Sequence, residues 1–115
     1  MGTVKTDGNE ITISGQTHEL DNRIREFIET EEVIIVNLDV DGTDYETLTQ
    51  NVIAFDTDGN FKWRIDECPD KTGGGHDAYL GLYETDGGVW VGNLNGMRYK
   101  INPRTGDITD KKFVK

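Results

Sequence analysis

The chain has 115 residues, 34% of them hydrophobic, and its 22 acidic residues against 12 basic ones give a formal net charge of −10. That length suits one domain with a single core, and no apolar run approaches the roughly 20 residues of a bilayer-spanning helix. A field of this sign repels phosphate backbones and anionic lipid, so neither nucleic acid nor membrane is an expected partner.

The hydrophobic residues are gathered into alternating runs, the mark of a folded chain with a thin core. Fourteen glycines and two prolines suit short strands and tight turns. The start of the chain lacks the basic and apolar regions of a signal peptide, and the single cysteine, Cys68, leaves no internal disulfide to form. A cytoplasmic location is therefore expected. The acid is spread along the chain, which suits a solvation role, but it also offers a face to a basic partner.

Residues 1–8 are a polar lead-in with a short edge strand at 3–5. Ile11 and Ile13 alternate with Thr12, Gly15 offers a turn, and residues 16–20 return as a strand before Asp21-Asn22. Residues 23–29 are ambiguous. Ile24, Phe27 and Ile28 have helical spacing, whereas Ile24, Glu26 and Ile28 alternate like a strand; the shortness of the segment favours the strand. Residues 33–40 are β-branched and apolar on both faces at their start, as in a central strand. Residues 41–50 have no periodicity and form a loop.

Residues 51–65 are the clearest unit. An apolar run ends at Phe55-Asp56, Asp58-Gly59 turns the chain, and Phe61, Trp63 and Ile65 alternate with Lys62, Arg64 and Asp66. Residues 66–77 carry Cys68-Pro69 and Gly73-Gly74-Gly75 and form the longest irregular stretch. Strands follow at 78–84, 89–92, 97–101 and 108–114, separated by glycine turns. The expected fold is all-β, with about ten antiparallel strands in tandem β-meanders, as two packed sheets or an incomplete propeller of two to three blades.

A repeat emerges when the segments are overlaid: a strand, a turn, a strand ending apolar-Asx, a second turn, and a third strand. Its Asx pairs are Leu20-Asp21, Phe55-Asp56 and Ile101-Asn102. Ala54, Phe55, Asp56, Gly59 and Trp63 resemble the A-x-D-x-x-T-G-x-x-x-W signature of the quinoprotein-type β-propeller repeat, the tryptophan-docking blade. The run from Val89 through Tyr99, Ile101, Asn102, Thr105 and Gly106 is similar to the same blade. The resemblance implies that Trp63 docks one blade on the next. The Asp56 turn is one residue shorter than the pattern, and Asp110 stands where the last copy would carry its tryptophan. At about 40 residues per blade the chain is too short for a ring of four or more, so no quinone site carries over and no cofactor is implied. What remains resembles small stand-alone prokaryotic proteins of unknown function built from such meanders, some of them suspected of acting as immunity or partner proteins.

Several residue groups have the right chemistry for a site. Asp39, Asp41 and Asp44 offer the hard oxygens that calcium takes, although the full D-x-D-x-D-G spacing and a bidentate glutamate are missing. Cys68, His76 and Asp77 have the residue types of a thiol nucleophile, base and orienter. Trp90 alternates with Val89 and Val91, and Tyr79 and Tyr83 alternate with Leu80 and Leu82, so Trp90, Tyr79 and Tyr83 either share an exposed aromatic patch or are covered on both faces, as in a stacked β-fold. With His76 and Asp77 in the neighbouring loop, these residues form the expected interface. The expected function is a non-catalytic, immunity-like protein-interaction module with an acidic surface for a basic protein partner. A structural calcium protein, or a small enzyme using the 66–77 loop, is the alternative. Edge strands left open by missing blades would favour a homodimer.

Overall fold

The computed structural model describes residues 4–40, 49–70, 78–85 and 88–113. Among them run eleven strands in three antiparallel meanders. The N-terminal sheet comprises β1 (Val4–Asp7), β2 (Glu10–Ile13) and β3 (Gln16–Glu19). The central sheet comprises β4 (Ile24–Glu29), β5 (Val33–Leu38), β6 (Val52–Asp56) and β7 (Phe61–Arg64). The C-terminal sheet comprises β8 (Tyr79–Thr85), β9 (Gly88–Asn93), β10 (Met97–Ile101) and β11 (Ile108–Phe113). Strands pair with their sequence neighbours throughout, except between β3 and β4 and between β7 and β8. The all-β meander expected from the sequence is the observed fold.

The ambiguous segment is β4, and a bulge explains its double periodicity. Register with β5 shifts between Ile24 and Glu26, so Ile24 opposes Leu38 while Phe27 opposes Val36. An extra residue in one strand puts both side chains on one face at a spacing of three, which imitates a helix. The first repeat copy is also divided. Leu20-Asp21 ends the N-terminal sheet, and β4, the expected third strand of that copy, pairs with β5 instead.

The central sheet is buried on both faces because β5 and β6 are apolar at successive positions. Val33, Ile35, Val52 and Ala54 pack with Tyr79, Leu82, Val91 and Tyr99 of the C-terminal sheet. Ile34, Val36, Leu38, Ile53 and Phe55 pack with Ile11 and Ile13 of the N-terminal sheet. The result is a three-layer stack with two cores among the described residues, not the single core expected from the length, because the middle sheet is apolar on both faces.

Side chains join the central and C-terminal layers where no strand pairing does. Asn51 accepts from the Tyr79 N–H at 2.9 Å and donates to the Tyr79 carbonyl at 2.8 Å. Asn37 accepts from the Gly81 N–H at 2.9 Å, and Glu26 from the Leu82 N–H at 2.8 Å. The edge strand β8 is thus held by three side chains of the neighbouring sheet. At the other end of the seam, the Trp63 indole N–H donates to the Pro103 carbonyl at 2.8 Å, and its ring covers Gly106. A Cβ on Gly106 would stand 2.5 Å from that ring, so only glycine allows the approach.

Candidate functional site

The outer face of the C-terminal sheet brings together the largest share of the residues expected at an interface. In β9, Val89 and Val91 are buried, which turns Trp90 outward. In β8, the expected alternation fails at one point. Register with β9 shifts between Tyr79 and Leu82, and Gly81 sits there at φ 97°. Tyr79 and Leu82 therefore both face the core, and Tyr83 faces out, opposite Trp90.

Tyr79 does not belong to the exposed patch. Its side chain is 0% exposed, its hydroxyl donates to the Asp66 carbonyl at 2.8 Å, and its ring lies edge-on to Tyr99. Burial pushes the Tyr79 hydroxyl well above its ordinary pKa, as it does for Tyr99. The bulge decides this, because one extra residue reverses which side chains face inward. Asn37 and Asn51 bind the backbone on either side of it.

The outward side chains form two cross-strand rows. Tyr83, Trp90, Lys100 and Asp110 make one, and Gly92, Arg98 and Lys112 make the other. The Arg98 guanidinium lies 3.9 Å from the Tyr83 ring centroid, and the Lys112 ammonium 4.7 Å from that of Trp90. Both are within cation–π range, where the ring's negative face attracts the charge. Gly92 lets β8 come close, since a Cβ there would lie 2.4 Å from the Leu80 carbonyl. Beside Tyr83, Gly92 and Arg98 lies a shallow hollow of about 160 Å³. The sign is opposite to that of the whole chain, for among the described residues three cations here meet one carboxylate. Arg98 and Lys112 were not singled out in the sequence. Their alternation with Tyr99 and with Lys111 was visible there, but pairing Arg98 with Gly92 and Lys112 required the register.

The family described as Domain of unknown function (DUF7957) matches residues 1–113. The chain belongs to this family. No curated protein and no solved structure matches it.

The other candidate residues of this DUF7957 domain lie apart from that face. Asp39 sits just beyond β5, with its carboxylate 3.8 Å from Arg25 and its carbonyl accepting from Asn22 at 2.6 Å. Asp41, Asp44, His76 and Asp77 lie outside the described residues. Among the described residues, no group of three His, Cys, Asp or Glu side chains could hold a metal. Cys68 is buried at the seam between the central and C-terminal sheets, where the Asn95 amide reaches its sulfur at 3.6 Å. The same amide donates to the Tyr99 hydroxyl at 2.9 Å, and that hydroxyl donates to Asp70. The Lys111 ammonium, 2.9 Å from Asp70, and the Tyr99 hydroxyl hold the Asp70 carboxyl below its ordinary range. This network ties the segment after β7 to β10 and β11.

A second hollow, of about 180 Å³, opens between the N-terminal and central sheets beside His18, Phe55, Phe61 and Arg64. His18 is in strand β3 and bonds the Gly59 carbonyl at 2.6 Å through Nε2. Among the described residues, the buried Arg64 Nη2 has no hydrogen-bond partner.

Proposed function

We propose that this domain is a non-catalytic protein-interaction module whose working surface is the outer face of the C-terminal sheet. The observation that carries the reading is the pair of rows containing Tyr83, Trp90, Arg98, Lys100 and Lys112, with two of the cations over the two rings. Aromatic and arginine side chains supply most of the binding energy in protein interfaces, at low entropic cost when they are already held in place. A positive face on a negative chain selects an acidic partner and orients it on approach. The basic partner expected from overall charge would bind elsewhere, on the acidic remainder of the surface.

The blade comparison belongs to the same proposal. Trp63 covers Gly106 of the next sheet and donates to Pro103, as a docking tryptophan would. The turns after Asp56 and Asn102 share a plan, each Asx Oδ1 accepting from the backbone N–H two residues on. These features support treating the two four-stranded meanders as successive propeller-type blades, with the outer sheet face as an end surface. A cytoplasmic, immunity-like role is consistent with the one buried thiol and the acidic chain.

Affinity capture from an extract of the native host tests the reading. The wild-type chain should retain a partner in a salt-sensitive way. Trp90→Ala with Arg98→Gln should lose it, and Asp39→Asn should not. Identical recoveries from all three would refute the assignment of this face.

A further inference from the structure

We infer that the acidic partner of the C-terminal face is the outer face of the N-terminal sheet on a second copy of this chain, so that copies stack head to tail. The inference rests on the working surface proposed above. The central sheet buries one face on each flanking sheet, so the stack ends in two sheet faces that point away from each other.

On the N-terminal sheet, Ile11 and Ile13 are buried, and strand alternation turns Lys5, Asp7, Glu10, Thr12, Thr17 and Glu19 outward. Register sets Asp7 opposite Glu10, and Glu10 opposite Glu19, in a row of three carboxylates across three strands. Like charges directly opposite one another destabilise a sheet. Lys5 is the one cation on this face among the described residues. At the other end of the stack the balance is reversed, with Arg98, Lys100 and Lys112 against Asp110. The two end faces are both outer faces of antiparallel sheets, and they are opposite in charge. Within the chain, sheets already associate face to face, and a second copy continues that packing at about 10 Å spacing. Both a second copy and a single-stranded nucleic acid meet the repulsion of a chain of net charge −10, but only the copy brings a sheet face whose carboxylate row matches the cation rows.

Because the two faces differ, the contact is heterologous and does not close at two copies without a matching rotation. Sedimentation velocity of the full chain over a concentration series tests this. At about 20 mM salt the average mass should rise with concentration, and at about 500 mM it should return to that of the monomer, since exposed charges are then screened. Glu10→Gln/Glu19→Gln and Arg98→Gln/Lys112→Gln should each remain monomeric alone. Their equimolar mixture should form a dimer and stop there, because each copy keeps one competent face. Melting curves identify any variant that fails to fold, and Asp7→Asn/Glu10→Gln and Lys100→Gln/Lys112→Gln provide a second pair. A monomer at every concentration in low salt, or a mixture that does not associate, overturns the inference. So does a single-stranded oligonucleotide that binds wild type but not Arg98→Gln/Lys112→Gln. If a monomeric chain still loses its captured host partner with Arg98→Gln/Lys112→Gln, self-stacking is refuted while the interaction module stands; if capture is also unchanged, both fall.

Discussion

Three side chains hold β8, Asn51 among them. Asn51 is 0% exposed and satisfies both polar groups of the Tyr79 peptide, as well as the Leu38 carbonyl at 2.8 Å. Replacing it with alanine leaves the buried Tyr79 N–H without its acceptor. Asn51→Ala should therefore cost about 2–4 kcal/mol in urea unfolding. A loss below about 1 kcal/mol would show that β8 is held by other means. Titratable groups set the pH limits. Backbone N–H groups of Asn60 and Asp58 hold Asp56 below its ordinary value of 3.8, and Asp70 is likewise lowered by Lys111 and Tyr99. A depressed carboxyl stabilises fully above the unfolded-state value and loses that contribution as pH falls through its folded one. Thermal unfolding should thus show an acid-sensitive loss below about pH 4. Asp56→Asn, which keeps the acceptor oxygen, should weaken that dependence. Tyr79 and Tyr99 have raised values, so their contribution is complete below the ordinary tyrosine value of 10.0 and is lost as pH rises above it. In an alkaline absorbance titration, these two should ionise only as the protein unfolds.

The two tryptophans occupy strands of similar pattern yet meet different surroundings. Trp63 docks β7 on the turn between β10 and β11, and Trp90 lies on an outer face. Gly106→Ala combines a φ of 78° with a Cβ 2.5 Å from the Trp63 ring. It should cost about 2–4 kcal/mol and red-shift the Trp63 emission. Trp90→Phe should change stability by less than about 1 kcal/mol, because it empties no core volume. Equal losses from the two changes would mean that the outer face is packed like the inner one. The strand bulges at Ile24/Glu26 and Tyr79/Leu82 act on whole strands. Each reverses the side-chain parity of one strand, and the second removes Tyr79 from the surface where simple alternation had put it.

The whole molecule is a stack whose middle layer belongs to both cores. Ile34 and Ile35 are neighbours in sequence, yet one packs toward the N-terminal sheet and the other toward the C-terminal sheet. Ile34→Ala and Ile35→Ala should each lower one shared unfolding transition by about 2–4 kcal/mol, with an unchanged denaturant slope. Two separate transitions in either variant would show that the layers unfold independently. The charge is also organised at this scale. A chain of net charge −10 ends in a positive aromatic face at one side of the stack and a carboxylate row at the other.

The sequence alone determined that these residues form strands, because alternation of apolar and polar side chains is a local property. It also located the turn at Asp58-Gly59, and the continuous apolar run at the start of residues 33–40 marked a strand covered on both sides. Which sheet β4 would join, that Tyr79 would face inward, and that Arg98 and Lys112 would lie over Tyr83 and Trp90 were decided by the tertiary structure. The physical reason is the same in each case. A bulge or a sheet boundary resets which side chains are neighbours, and these are fixed by hydrogen bonds from residues distant in the chain: Asn37, Asn51 and Glu26 for β8, and the β5 register for β4.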